Sequence, residues 1–120
     1  MNRVERGRGG EEVAWDHLRR AGYRLVARNL RSRFGEIDLV VERGDTLVFV
    51  EVRSRAGTRF GTPLESIDGR KRKQVARLAA DFLARHRLDD RRARFDVVAV
   101  EWQDGEPKID HVENAFEVPE

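Results

Sequence analysis

The sequence contains no cysteine. That absence excludes disulfide frameworks, cysteine-ligated zinc and thiol nucleophiles together. Lysine is almost missing too: of 24 basic residues only Lys71, Lys73 and Lys108 are lysine, and the other 21 are arginine, a bias that a GC-rich genome would also produce. No apolar run approaches the ~18 residues of a membrane span, so no membrane association is expected. The basic, glycine-bearing start from Met1 to Gly10 lacks the apolar stretch of a signal peptide, which makes the cytoplasm the expected location. His17, His86 and His111 have no metal-ligand spacing and read as packing or surface residues. Ser32, Ser54 and Ser66 have no His/Asp set to suggest a nucleophile. Gly7, Gly9 and Gly10 follow no strand, so they do not make a phosphate loop.

What the chain does have fits one domain, residues 1–120, with 1–8 as a candidate flexible basic arm. Of its 120 residues 39% are hydrophobic and 38% charged, with a mean hydropathy of -0.68. That fills one core beneath a highly charged surface. The net charge of +2 hides an uneven distribution. Arg53 to Arg77 holds eight positive residues against Glu65 and Asp68, a net of +6. Glu101 to Glu120 holds seven acids against Lys108, a net of -6. One segment can therefore attract a polyanion while another repels it.

Periodicity divides the chain into seven elements. Gly9 to Arg20 reads as a helix, with Ala14, Leu18 and Ala21 at helical spacing and Gly22 as a stop. Tyr23 to Leu30 is a short strand. Gly35 to Glu42 and Thr46 to Arg53 are two further strands, joined by a tight turn at Gly44-Asp45. Arg55 to Pro63 reads as a loop. Ser66 to His86 is an amphipathic helix with Val75, Leu78, Ala79, Phe82 and Leu83 on one face. Phe95 to Val100 is an apolar strand, and a last strand lies between Lys108 and Phe116, after Asp104-Gly105. The order α-β-β-β-α-β-β predicts an α/β fold with a single mixed sheet flanked by helices.

The central hairpin carries the chemistry. A two-residue turn at Gly44-Asp45 sets Asp38 opposite Glu51 and Glu36 opposite Arg53, all four on one face. Asp38 lies in Ile37-Asp38-Leu39-Val40-Val41 and Glu51 in Val48-Phe49-Val50-Glu51-Val52, acids inside apolar runs. Buried acids are uncommon unless paired or metal-bound. Two carboxylates across a ladder repel and raise a pKa unless a cation lies between them. A hard divalent ion such as Mg²⁺, bound through oxygen, resolves that conflict. Buried salt bridges to Arg53 and a second arginine such as Arg94 would account for the same pattern.

Gly35-Glu36-Ile37-Asp38, twelve residues, then Glu51-Val52-Arg53 resembles the D…E-x-K core of restriction-endonuclease-like nucleases. More narrowly, the chain resembles the YraN-like family of small bacterial proteins, themselves similar to archaeal Holliday junction resolvases. The matching pieces are Gly10-Glu11, Arg28-Asn29, Gly35 to Asp38, Phe49 to Arg53 and Arg94-Phe95-Asp96, spread in order over about residues 7 to 117. The resemblance implies a restriction-endonuclease-like fold with Mg²⁺ or Mn²⁺ held by Asp38, Glu51 and the carbonyl of Val52. It also implies an added acid from the first helix. Glu11 fits that place because it shares a face with Ala14 and Leu18, although an acid in a first helical turn is favourable on its own account.

Arg53 departs from the superfamily's lysine. Lysine can lose its proton when buried and arginine effectively cannot. Arg53 can still contact the scissile phosphate, or neutralise Glu36 across the hairpin. Arg55, Arg59, Arg70, Lys71, Arg72 and Lys73 are candidates to track a DNA backbone, through contacts with little base specificity. The same cluster reads equally as a solvated helix start. Asp96 either supports the site or anchors an arginine within the sheet, and Gln74 reads as solvent-facing. The expected function is a metal-dependent DNA endonuclease hydrolysing phosphodiesters, with branched DNA such as a four-way junction implied by the resemblance alone. The alternative is a non-catalytic nucleic-acid-binding module on the same fold. No oligomerisation motif is present, though a homodimer would suit a two-fold junction.

Overall fold

A computed structural model describes residues 3–56 and 67–116, with side chains described for 9–54 and 67–116. The element order is α1 (Arg3–Arg20), β1 (Arg24–Ser32), β2 (Gly35–Arg43), β3 (Thr46–Ala56), α2 (Gly69–Arg85), β4 (Arg92–Gln103) and β5 (Glu106–Val112). This is the α-β-β-β-α-β-β order read from the sequence. The five strands form one sheet in the order β1-β2-β3-β4-β5. Only β3 and β4 run parallel. A parallel pair needs a long crossover, and α2 lies within it.

Each face of the sheet buries one helix. On one side Ala14 and Leu18 of α1 meet Leu39, Val41, Val48, Val50, Val98 and Val100. On the other, Val75, Leu78, Ala79 and Phe82 of α2 meet Ile37, Val40, Leu47, Phe49, Phe95 and Val97. The parallel inner strands β3 and β4 are covered on both faces, so they read as nearly continuous apolar runs.

Several boundaries shift. α1 begins six residues before Gly9, and Ala21 lies exposed beyond its end. β4 extends through charged residues at both ends, to Arg92 and Gln103. β3 takes in Arg55 and Ala56, which read as loop; Ser66 and most of that expected loop lie outside the described residues. α2 starts at Gly69 because the Asp68 side chain accepts from the Lys71 N–H and caps it. The turns follow their residues. Gly44 has φ 62° in the β2–β3 hairpin, while Asp104 and Gly105 both have positive φ between β4 and β5. Such values suit the primed turns of two-residue hairpins.

Candidate functional site

The β2–β3 ladder begins at Arg43↔Thr46, the register that the two-residue turn dictates, and continues through Leu39↔Val50. There it stops. Continuing the register would pair Ile37 with Val52, but that pair does not form; Ile37 keeps its β1 partner Leu30 and turns into the α2-side core. Opposite Asp38, Asn29 of β1 adopts a left-handed φ of 49°. The strands fork, and the Asp38 carboxylate fills the opening by accepting from the Val52 N–H at 2.7 Å. The N–H and C=O of one strand residue point to the same edge, so the Val52 carbonyl also faces this fork. Asp38 and Glu51 are therefore neighbours at a fork rather than partners across a ladder.

Glu51 is buried, 7% exposed, on the side covered by α2. Its Oε1 lies 3.4 Å from an Arg53 guanidinium nitrogen and its Oε2 lies 3.4 Å from Lys71 Nζ. Among the described residues Oε2 has no hydrogen-bond partner. Burial and the adjacent Asp38 charge push the Glu51 carboxyl up to about 7. Burial raises Asp38 as well, against the Val52 hydrogen bond and the charges of Lys71 and Arg53.

Glu11 reaches the same region from α1. Burial raises its pKa, and the Asp38 charge raises it further. Its approach depends on Gly10: a Cβ there would lie 2.6 Å from Ser54 Cβ, which only glycine avoids. Ser54 in turn accepts from Trp102 Nε1 at 3.0 Å, fixing β3 and β4 beneath the helix. Glu12, the neighbouring acid, is exposed and paired with Arg28. Among the described residues no three acidic or histidine side chains are gathered closely enough to hold an ion by themselves.

Other candidates are distributed differently from the hairpin reading. Glu36 faces Arg31 of β1 in register and pairs with it at 3.2 Å, because the fork carries it away from β3. Asp96 and Arg94 belong to a separate network on the α1 side. Arg94 binds both Asp96 oxygens at 2.9 Å, and Tyr23 Oη accepts from Arg94 at 2.5 Å. His111 Nε2 lies 2.7 Å from Asp96 Oδ2, and the Asn114 N–H donates to Oδ1. Burial alone would raise Asp96, but these hydrogen bonds outweigh it and hold the carboxyl below its ordinary range. Arg94 is thus the counter-ion of Asp96, not of the fork acids.

The basic cluster also divides. Arg55 and Arg59 have no described side chains. Arg70 and Lys73 are exposed and line a shallow groove with Gln74 and Arg77. Arg72 lies over the Phe116 ring. Lys71 points inward to the fork, where its Nζ also donates to the Glu36 carbonyl at 3.3 Å. Gln74, one turn on, is half-buried, with Oε1 3.7 Å from where a Cβ on Gly35 would lie. Sequence reading treated both as surface residues. The available signal was spacing, since Lys71 shares a helical face with Val75, Leu78 and Phe82. No such signal joins His17 to His111, whose ring nitrogens meet at 3.3 Å across 94 residues.

A family model described as "Uncharacterised protein family UPF0102" matches residues 10–100. The chain belongs to the UPF0102 (YraN) family. That family is part of the restriction-endonuclease-like superfamily. The UPF0102 protein of Moorella thermoacetica is 49% identical over 113 residues, covering 94% of this chain and 93% of the relative. UPF0102 protein STH1475 of Symbiobacterium thermophilum is 47% identical over 92% of this chain and 94% of its own length. A family protein of Pseudomonas aeruginosa is likewise 47% identical, over 94% of this chain and 93% of the relative. Among solved structures, Pyrococcus furiosus SfsA in complex with Ca²⁺ aligns over 92% of this chain and 63% of its own. At 14% identity and a TM-score of 0.40 that likeness is too loose to carry an argument about the site.

Proposed function

We propose that this UPF0102 protein is a divalent-metal-dependent DNA endonuclease whose site is the β2–β3 fork. One observation carries the reading: a buried carboxylate, Glu51, whose Oε2 has only the Lys71 ammonium at 3.4 Å among the described residues, stands beside a second raised acid. Buried polar atoms are nearly always satisfied. Hard oxygen donors are also what Mg²⁺ or Mn²⁺ takes, so the residues fit such an ion. Asp38, Glu51 and the Val52 carbonyl would hold it, with Glu11 contributing from α1. The ion would supply Lewis-acid polarisation of a phosphoryl oxygen and a more acidic water.

The chain's own residues supply the rest. Arg53, tied to Glu51, offers a guanidinium to a phosphate oxygen and cannot act as a base. Arg70, Lys73 and Arg77 give phosphate contacts along one exposed edge and read no base. Distorted or branched DNA as the substrate rests on the resemblance to Holliday junction resolvases. The same Arg53–Glu51 pair favours the second reading, a DNA-binding module with little catalysis. Purified protein offered linear, flapped and four-way DNA, with and without Mn²⁺, distinguishes them. Nuclease function requires metal-dependent cleavage that Asp38→Ala abolishes; binding without cleavage under every metal condition supports the module.

A further inference from the structure

The fork acids already face two cations, Arg53 from the strand of Glu51 at its Oε1 and, from a helix, Lys71 at Glu51 Oε2. Lys71 stands in the first turn of α2, with its backbone N–H held at 2.9 Å by the Asp68 cap. Its side chain is 23% exposed, and its Nζ lies 3.4 Å from Glu51 Oε2 and 3.3 Å from the Glu36 carbonyl. Three anchors thus aim this ammonium at the fork. Its contact with Oε2 is an ion pair that leaves the oxygen without a hydrogen bond. A divalent ion taking Glu51 Oε2 would share that oxygen with a like charge 3.4 Å from it, and such charges repel strongly when partly desolvated. An ammonium on a flexible stem can withdraw.

Resting on the metal-dependent reading above, we infer that Lys71 is a tethered cation that, with Arg53, neutralises the fork acids when no metal is bound and competes with the metal for Glu51 Oε2. Once displaced, it is a mobile point charge beside the fork, available to a phosphate, in a chain whose strand offers only arginine there. Lys71 is then a positioning residue that couples metal loading to phosphate capture, and not one more residue of the basic surface.

The test is Mn²⁺ binding by titration calorimetry on the full chain, at one ionic strength, for wild type, Lys71→Met, Lys71→Gln, Lys71→Arg and Asp38→Asn. Thermal melts establish that each variant is folded. Lys71→Met and Lys71→Gln should bind Mn²⁺ tighter than wild type by about tenfold or more, as loss of a close like charge requires. Lys71→Arg, which keeps the charge, should stay near wild type, and Asp38→Asn should lose binding. Mn²⁺ binding by the neutral variants alone would support the inference in its strongest form. Wild-type binding with neutral variants equal or weaker overturns the inference and leaves the metal-dependent reading standing. No Mn²⁺ binding by any of the proteins overturns both.

Discussion

At Glu51 the folded chain holds a proton more tightly than the unfolded chain does. Its carboxyl stands at about 7 against an ordinary 4.5. Between those values the folded state binds the extra proton, so stability falls as pH rises through the window and levels off above it. The interval corresponds to about 3 kcal/mol. Glu51→Gln should therefore stabilise the metal-free protein at pH 8 and change it little at pH 4.5, which urea unfolding across that range will test. A gain of equal size at both ends would contradict the origin assigned to the shift. Asp96 behaves oppositely. Its lowered pKa gives stability that is present above the ordinary aspartate value and lost as pH falls. Removing it leaves Arg94 half-buried without its bidentate partner, so Asp96→Ala should cost about 3–5 kcal/mol in unfolding free energy. Arg53 separates rate from stability. If it contacts phosphate, Arg53→Ala should slow single-turnover cleavage ~10²–10³-fold with an unchanged melting temperature, and Arg53→Lys should recover part of the rate. A variant cleaving at the wild-type rate removes that role.

The elements show why some of this arrangement was legible and some was not. The β2–β3 register followed from Gly44-Asp45 alone, because a two-residue turn leaves no freedom over which residues pair. The fork did not. It depends on Ile37 entering the α2-side core while Leu39 enters the α1-side one, a tertiary choice invisible in the alternation of β2. Hence Asp38 and Glu51 came out as neighbours from sequence, while Glu36 opposite Arg53 came out wrong. Helical spacing similarly directed Glu11 inward, since Ala14 and Leu18 are fully buried on its face. It did not show that Gly10 sets the depth of α1 against Ser54. Gly10→Ala tests that depth: the added Cβ should destabilise the protein by roughly 1–3 kcal/mol, typical of overpacking. Introducing Ser54→Gly into that variant should restore part of the loss. Strictly additive effects in the double mutant would mean the two residues do not meet.

Over the whole molecule, charge decides how a polyanion would approach. The exposed Arg70, Lys73 and Arg77 lie along α2, while the C-terminal strand belongs to the acidic stretch. DNA affinity should fall steeply with salt, with a log–log slope of about -0.9 per phosphate contact. Arg70→Glu with Lys73→Glu should flatten that slope and weaken every duplex or branched substrate alike. An unchanged slope would move the binding face elsewhere. The family and the nuclease-like fold are common to all the readings of this chain; the salt slope and metal titrations bear on what it does with them.

The parallel seam between β3 and β4 also sets a timetable for assembly. Every partnership along it, from Thr46↔Arg92 to Ala56↔Trp102, joins residues 46 positions apart. The β1–β2–β3 meander and the β4–β5 hairpin instead close through short turns. Loop closure favours local pairings early, and distant ones dominate the barrier. On that ordering the meander is expected to bring Asp38 and Glu51 together before the crossover delivers Lys71. During that interval the two acids would lie side by side without α2 over them. If the fork takes a divalent ion as proposed, Mn²⁺ present during refolding should speed collapse of the meander, and refolding rates unchanged by Mn²⁺ would contradict this.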